Sequence, residues 1–270
     1  MLVLENNNAR LALDLQQGGR ISSLNINGLE VLVEPAGNPL AWGCYPMAPW
    51  AGRLRNGIFN FENHQYDFPL NLDGHALHGT CLNREWKLVR QAGNTLHLAI
   101  DLGKHWPCKG EARQTIRLDS DCLFMTLEVH SHAQRFPASL GWHPWFKKQL
   151  SKGKPAQLQF SAQAKYACDA QQIPEATLIE PGESPWDDCF IGVKNPPRIL
   201  WPEALELSIH SPASHWVVYN QPEHALCIEP QTAAANAINQ EFKTDFPTVD
   251  FVSPDKPLRL YCEWQWKILS

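Results

Sequence analysis

No run of lysine or arginine appears anywhere in this 270-residue chain, and its formal net charge is -5 at pH 7. Holding nucleic acid or an anionic membrane surface by charge needs a concentrated cationic patch, so neither is expected as a partner. No apolar run approaches the ~20 residues of a membrane-spanning helix. The opening Met1-Leu-Val-Leu-Glu5-Asn-Asn-Asn8 lacks the basic and then apolar pattern of a secretory leader. Eight cysteines are present. However, the nearest two, Cys108 and Cys122, stand fourteen positions apart, so there is no Cys-x-x-Cys for zinc or thiol exchange. Reduced cysteines in a cytoplasmic protein are therefore expected. Also missing are a linker, an internal repeat, a Gly-Lys-Ser/Thr phosphate loop and any amphipathic helical pattern of three turns.

What is present is strand grammar. Leu11, Leu13 and Leu15 alternate with polar neighbours, and Ile21, Leu24 and Ile26 lead into Asn27-Gly28. That dipeptide suits the positive-φ pair of a tight hairpin, with Val31 and Val33 expected on the return strand. Leu96, Leu98, Ile100 and Leu102 alternate after Gly93-Asn94, and Leu123, Met125, Leu127 and Val129 repeat the pattern. Leu258, Leu260, Cys262, Trp264, Trp266 and Ile268 share one face of a last strand. Twenty-one prolines and sixteen glycines punctuate these runs. Together they predict one all-β, mostly antiparallel domain over residues 1–270, a sandwich or barrel.

Five stretches carry polar groups that this periodicity does not require. In Ala225-Leu-Cys-Ile-Glu229-Pro230-Gln231, alternation puts Glu229 on the face of Cys227 and Ala225, opposite Leu226 and Ile228. Pro230 lacks an N–H, so pairing is expected to stop there. The Gly52-Arg53-Leu-Arg55-Asn56-Gly57 loop brackets two guanidinium groups suited to hydroxyl or phosphate oxygens. Asp73-Gly-His75-Ala-Leu-His78-Gly79-Thr80 offers two histidines, but no second cluster completes a metal shell, and no metal is expected. His143 sits between Trp142 and Trp145, and Asp187-Asp188 precede Phe190.

Taken in order, Gly-Arg-x-x-Asn-x-Ile, Leu-His-Gly, His-Pro-aromatic-Phe, Asp-x-x-Phe and Glu-x-Gln resemble the aldose 1-epimerases of the galactose mutarotase family, from about Leu11 to Trp266. The resemblance implies a β-supersandwich with an open sugar groove, a small-molecule sugar as partner, and no cofactor. It also implies that Glu229 is the general base and His143 the general acid. His78 would hold the sugar near its ring oxygen, and Arg53 and Asp187 would contact hydroxyls. Asp188 is the alternative to Asp187. Trp50, Trp142 and Trp145 are candidates for stacking on the sugar.

Three residues depart from the family pattern: Thr80 where a second glycine is frequent, Trp145 where tyrosine is common, and Pro230 where threonine is usual. The chain is also short for a sugar mutarotase, which leaves the sugar open. A hexose 6-phosphate, with Arg53, Arg55 or Arg84 adding charge, is one alternative substrate. Sugar binding without turnover and glycoside hydrolysis by Glu229 and Asp187 are alternative functions. For anomer exchange, the carboxylate (ordinary pKa about 4.3) is expected to accept a proton. The histidine, held cationic by nearby carboxylates, is expected to donate one.

Overall fold

Alternating apolar residues build two large antiparallel sheets in a computed structural model that describes residues 1–35, 37–239 and 249–269. One sheet has twelve strands and the other eight, and three two-stranded ribbons flank them. The only helical pieces among the described residues are two single 3-10 turns, Arg55–Gly57 and Ala237–Asn239. The expected all-β, mostly antiparallel class is what the chain adopts.

The smaller sheet follows its sequence pattern closely. Leu123, Met125, Leu127 and Val129 on Cys122–Ser131, and Leu258, Leu260, Cys262, Trp264 and Trp266 on Leu258–Ile268, are buried. Ile268 alone breaks the stripe; it is 40% exposed at the strand's end. These residues pack with Leu11, Leu13, Leu24, Trp142, Leu226 and Ile228 of the larger sheet in one apolar cluster between the two sheets. Fully burying one such side chain contributes roughly 1.5–3 kcal/mol, so this shared interior is the main source of stability.

The Asn27-Gly28 hairpin forms as expected, with φ of 47° and 84° and Ile26 opposite Leu29. Its return arm is only Leu29–Glu30. Val31 still donates its N–H to the Leu24 carbonyl, but Val33 leaves the hairpin, because Leu32 bridges to Phe146 and the Val33 N–H donates to the Trp145 carbonyl. The Gly93-Asn94 turn joins Lys87–Ala92 to Thr95–Asp101 as expected.

In the larger sheet, the strands Cys44–Met47, Gly141–Pro144, Ala225–Gln231, His215–Tyr219 and Asp187–Ile191 lie side by side in that order. Pairing does not stop at Pro230; the strand continues to Gln231, with Pro230 opposite Trp216 and Gln231 opposite His215. On its other side the ladder is already open. Leu226 pairs Phe146 and Gln231 pairs Gly141, with no partner between. A residue without an N–H therefore costs no ladder bond on that side.

Candidate active site

Leu226 and Ile228 enter the inter-sheet core, whereas Ala225 and Cys227 join a separate small cluster with Tyr45, Met47 and Trp145 on the opposite face. Glu229 shares that second face, as the period of two requires. A cavity of about 360 Å³ opens there, within the size range of small-ligand sites. All five residues singled out by the resemblance line it: Arg53, His78, His143, Asp187 and Glu229.

The floor of the cavity is a direct contact. His143 Nε2 lies 3.2 Å from Glu229 Oε1, both side chains are nearly inaccessible, and Gln231 Nε2 donates to Glu229 Oε2 at 3.1 Å. Gln231 is itself 1% exposed, and its Oε1 is buried without a partner. Residues two apart on a strand share a face, so the Glu-x-Gln spacing carried this contact as a readable signal.

His143 pairs across the ladder with Tyr45. Its ring lies flat on Trp145, with centroids 5.2 Å apart, and edge-on to His78 at the same separation. Behind Tyr45 sits Arg20, 0% exposed, its guanidinium over the Trp42 and Tyr45 rings. Arg20 donates to the carbonyls of Gln17, Pro39 and Trp42. Burial lowers its pKa to about 10, which leaves it a cation at neutral pH.

His78 reaches the cavity through an unusual backbone. Its φ is +63° and that of Gly79 is +82°. The turn presses Gly79 against Ala48 so closely that a Cβ there would sit 1.9 Å from the Ala48 carbonyl oxygen; only glycine fits. The His78 N–H donates to the Gly52 carbonyl, and the Gly52 N–H donates back to His78 Nδ1 at 3.3 Å. Accepting at Nδ1 fixes the neutral tautomer with its proton on Nε2. Burial, helped by the nearby Arg53 charge, lowers its pKa to about 3. The imidazole is thus a neutral donor. The Thr80 hydroxyl donates to the Leu102 carbonyl, so threonine at this position leaves the cavity unchanged.

Electrostatics correct one expectation. Burial pushes the Glu229 carboxyl well above the carboxylate range, with the Asp187 charge adding to the effect, while Gln231 and Arg53 oppose it. Burial likewise drives His143 well below the histidine range, with His78 and Arg20 adding to it. Both shifts favour the neutral forms, a carboxylic acid beside a neutral imidazole. The expected imidazolium is disfavoured because desolvation outweighs its carboxylate neighbour.

The two aspartates separate clearly. Asp188 is paired with Lys165 at 2.9 Å. Asp187 has no such partner among the described residues, and burial raises its pKa against the pull of Arg53. Of the three tryptophans, only Trp145 lines the cavity; Trp50 and Trp142 are packed in the core. His75 accepts from the Asn56 N–H, which makes it a pin for the arginine loop. Tyr45, Tyr219 and the Cys168–Gln172 side of the wall were not singled out, because nothing local marks a long-range lining residue.

Among the described residues one group could offer three metal ligands: His143, Cys227 and Glu229, with ligand atoms within 4.8 Å of one another. Burial pushes the Cys227 thiol well above its ordinary value, which opposes the thiolate a metal would need. All eight cysteines are unpaired.

Comparison with known proteins bears on the fold and the family. The chain is similar to a galactose mutarotase-like protein from Clostridium acetobutylicum, with a TM-score of 0.87, 16% identity, and coverage of 99% of this chain and 95% of that one. Similarity to a galactose 1-epimerase from Lactobacillus acidophilus NCFM gives a TM-score of 0.78 at 16% identity, over 99% and 94% of the two chains. At these identities the likeness establishes the fold. An uncharacterized protein of Escherichia coli K12, YphB, is 30% identical over 106 residues, 38% of this chain and 36% of the relative, so the match spans about a third of that protein's length. The family model for aldose 1-epimerase matches residues 1–264. The order of the motifs, the two-sheet fold and that near-complete match converge, and the chain belongs to the aldose 1-epimerase family.

Proposed function

We propose that this cavity interconverts the α and β anomers of an aldose by acid–base opening and closing of its hemiacetal. The observation that carries this reading is the 3.2 Å contact between His143 and Glu229 on the cavity floor. The anomeric hydroxyl and the ring oxygen are bound to the same carbon. A base for one and an acid for the other must therefore lie within a few ångströms of each other, out of bulk water.

Ring opening uses the ionised form of the pair. Glu229 takes the proton of the anomeric hydroxyl, the C1–O1 bond becomes a carbonyl, and the C1–O5 electron pair moves to O5. The ring oxygen takes its proton from His143, while the His78 Nε2–H, fixed as a donor, steadies the developing charge. After this step the pair is neutral, which is the state that burial favours. Rotation about C1–C2 and the reverse transfers close the ring on the other face and restore the starting protonation. No proton is gained or lost over the cycle. Arg53 and Asp187, on the cavity wall, are suited to hydroxyl contacts that orient the sugar.

Polarimetry or exchange NMR on glucose and galactose tests this: the chain should accelerate anomer exchange above the spontaneous rate, and Glu229→Gln should abolish the gain. Sugar binding by calorimetry with no rate effect would favour a non-catalytic role. Release of nitrophenol from aryl glycosides would favour hydrolysis by Glu229 and Asp187.

A further inference from the structure

All but one of the cations near the cavity are already engaged. Of the three arginines that could meet a phosphate, Arg84 bonds Asp101 at 2.8 Å and lines a different cavity. Arg55, two residues from Arg53, is turned to the Cys168–Gln172 wall. Its Nη2 lies 2.5 Å from Asp169 Oδ2 and its Nη1 2.7 Å from Gln171 Oε1. Lys165, the remaining cation beside the aspartates, is held by Asp188. Among the described residues Arg53 is the one lysine or arginine that lines the cavity, and it does so among Asp73, Asp187, Asp188 and Glu229.

We infer that the cavity discriminates against anionic sugars, and that Asp169 is a specificity-determining residue because it clamps Arg55 away from the opening. This inference names the substrate class for the mutarotase reading and rests on it. A sugar phosphate arrives with close to two negative charges and is recognised by guanidinium forks free to bind its oxygens. Here it meets one free fork beside Asp73 and Asp187, neither of which has an ion-pair partner among the described residues, and like charges brought together carry a heavy cost. An uncharged aldose has no such conflict. Its hydroxyls donate to the aspartates and accept from Arg53.

Asp169 does not line the cavity, so its effect on charge selection can be separated from catalysis. The test is calorimetric binding of glucose and galactose against their 6-phosphates, on the wild type and on Asp169→Ala and Asp169→Asn, with anomer exchange followed in parallel. The wild type should bind the uncharged sugars at least ~10²-fold more tightly than the phosphates. Freeing Arg55 should narrow that ratio by about tenfold, chiefly by improving phosphate binding. A clamp that only braces the wall would weaken both sugars together and leave the ratio fixed, and that result overturns the role of Asp169. Equal wild-type affinities overturn the selection itself, whether or not either variant folds. Discrimination in binding without any acceleration of exchange would sink the mutarotase reading and leave the charge selection standing.

Discussion

On the eight-stranded sheet, the face turned from the core is covered by matched surface charges: Glu128 meets Arg259 directly across the ladder, and Arg113 meets Glu111. Its strands pair without a break from Gly110–Leu118 through Cys122–Ser131 to Leu258–Ile268. The twelve-stranded sheet differs on both counts. Its ladder opens beside Cys227–Pro230, and its strands bury Arg20, His143, His215, Glu229 and Gln231. Buried polar groups cost stability unless paired. The molecule thus concentrates its buried ionisable groups in one sheet, where the proposed chemistry would use them, and leaves the other, whose buried polar residues are Gln114 and Ser131, to hold the interior together.

The sharpest way to break this division is at the floor contact. Glu229→Gln and His143→Gln should each slow anomer exchange by roughly 10²–10⁴-fold, with the far-ultraviolet circular dichroism spectrum intact. In the other sheet, Leu127→Ala should cost about 2–5 kcal/mol in denaturant unfolding and leave the Michaelis constant alone. A large kinetic effect there would mean that the sheets are not separable.

The same Glu229→Gln variant should be more stable than wild type at pH 8, on the order of 1 kcal/mol in thermal unfolding. The sign follows from linkage. A carboxyl whose folded pKa is raised contributes fully below its unfolded value of about 4.3. Its contribution is lost as pH rises through the folded value, because only the unfolded chain ionises it freely. The gap between variant and wild type should therefore vanish near pH 4. The lowered pKa of His143 acts oppositely, supporting stability above about 6.5 and withdrawing it as pH falls. Smallest of all, Glu128→Ala should change stability by about 1 kcal/mol or less, as exposed ion pairs do.

The period-two rule made three strands of the eight-stranded sheet readable, Thr95–Asp101, Cys122–Ser131 and Leu258–Ile268, and it placed Glu229 on the correct face. It failed where neighbours decide. Pro230 stays in its strand because the adjacent ladder is open, and Val33 is diverted to Trp145 after Leu32 bridges to Phe146. Motif order brought the five site residues together, which no single spacing could do. Two features lay beyond it. The fixed tautomer of His78 depends on Gly52, twenty-six positions away, and the clamp on Arg55 depends on Asp169, 114 away. The charge state of the floor pair was misjudged for a related reason: burial is a property of the folded surroundings.

The guanidinium behind Tyr45 has one more consequence. Locked by three main-chain oxygens and sandwiched by two rings, it cannot swing toward a visiting ligand or be washed out by salt. It therefore imposes a standing positive potential on the imidazole one layer above, keeping that ring a reluctant proton holder before any sugar arrives. A histidine so biased parts with its proton readily, the quality that the proposed opening step would ask of it.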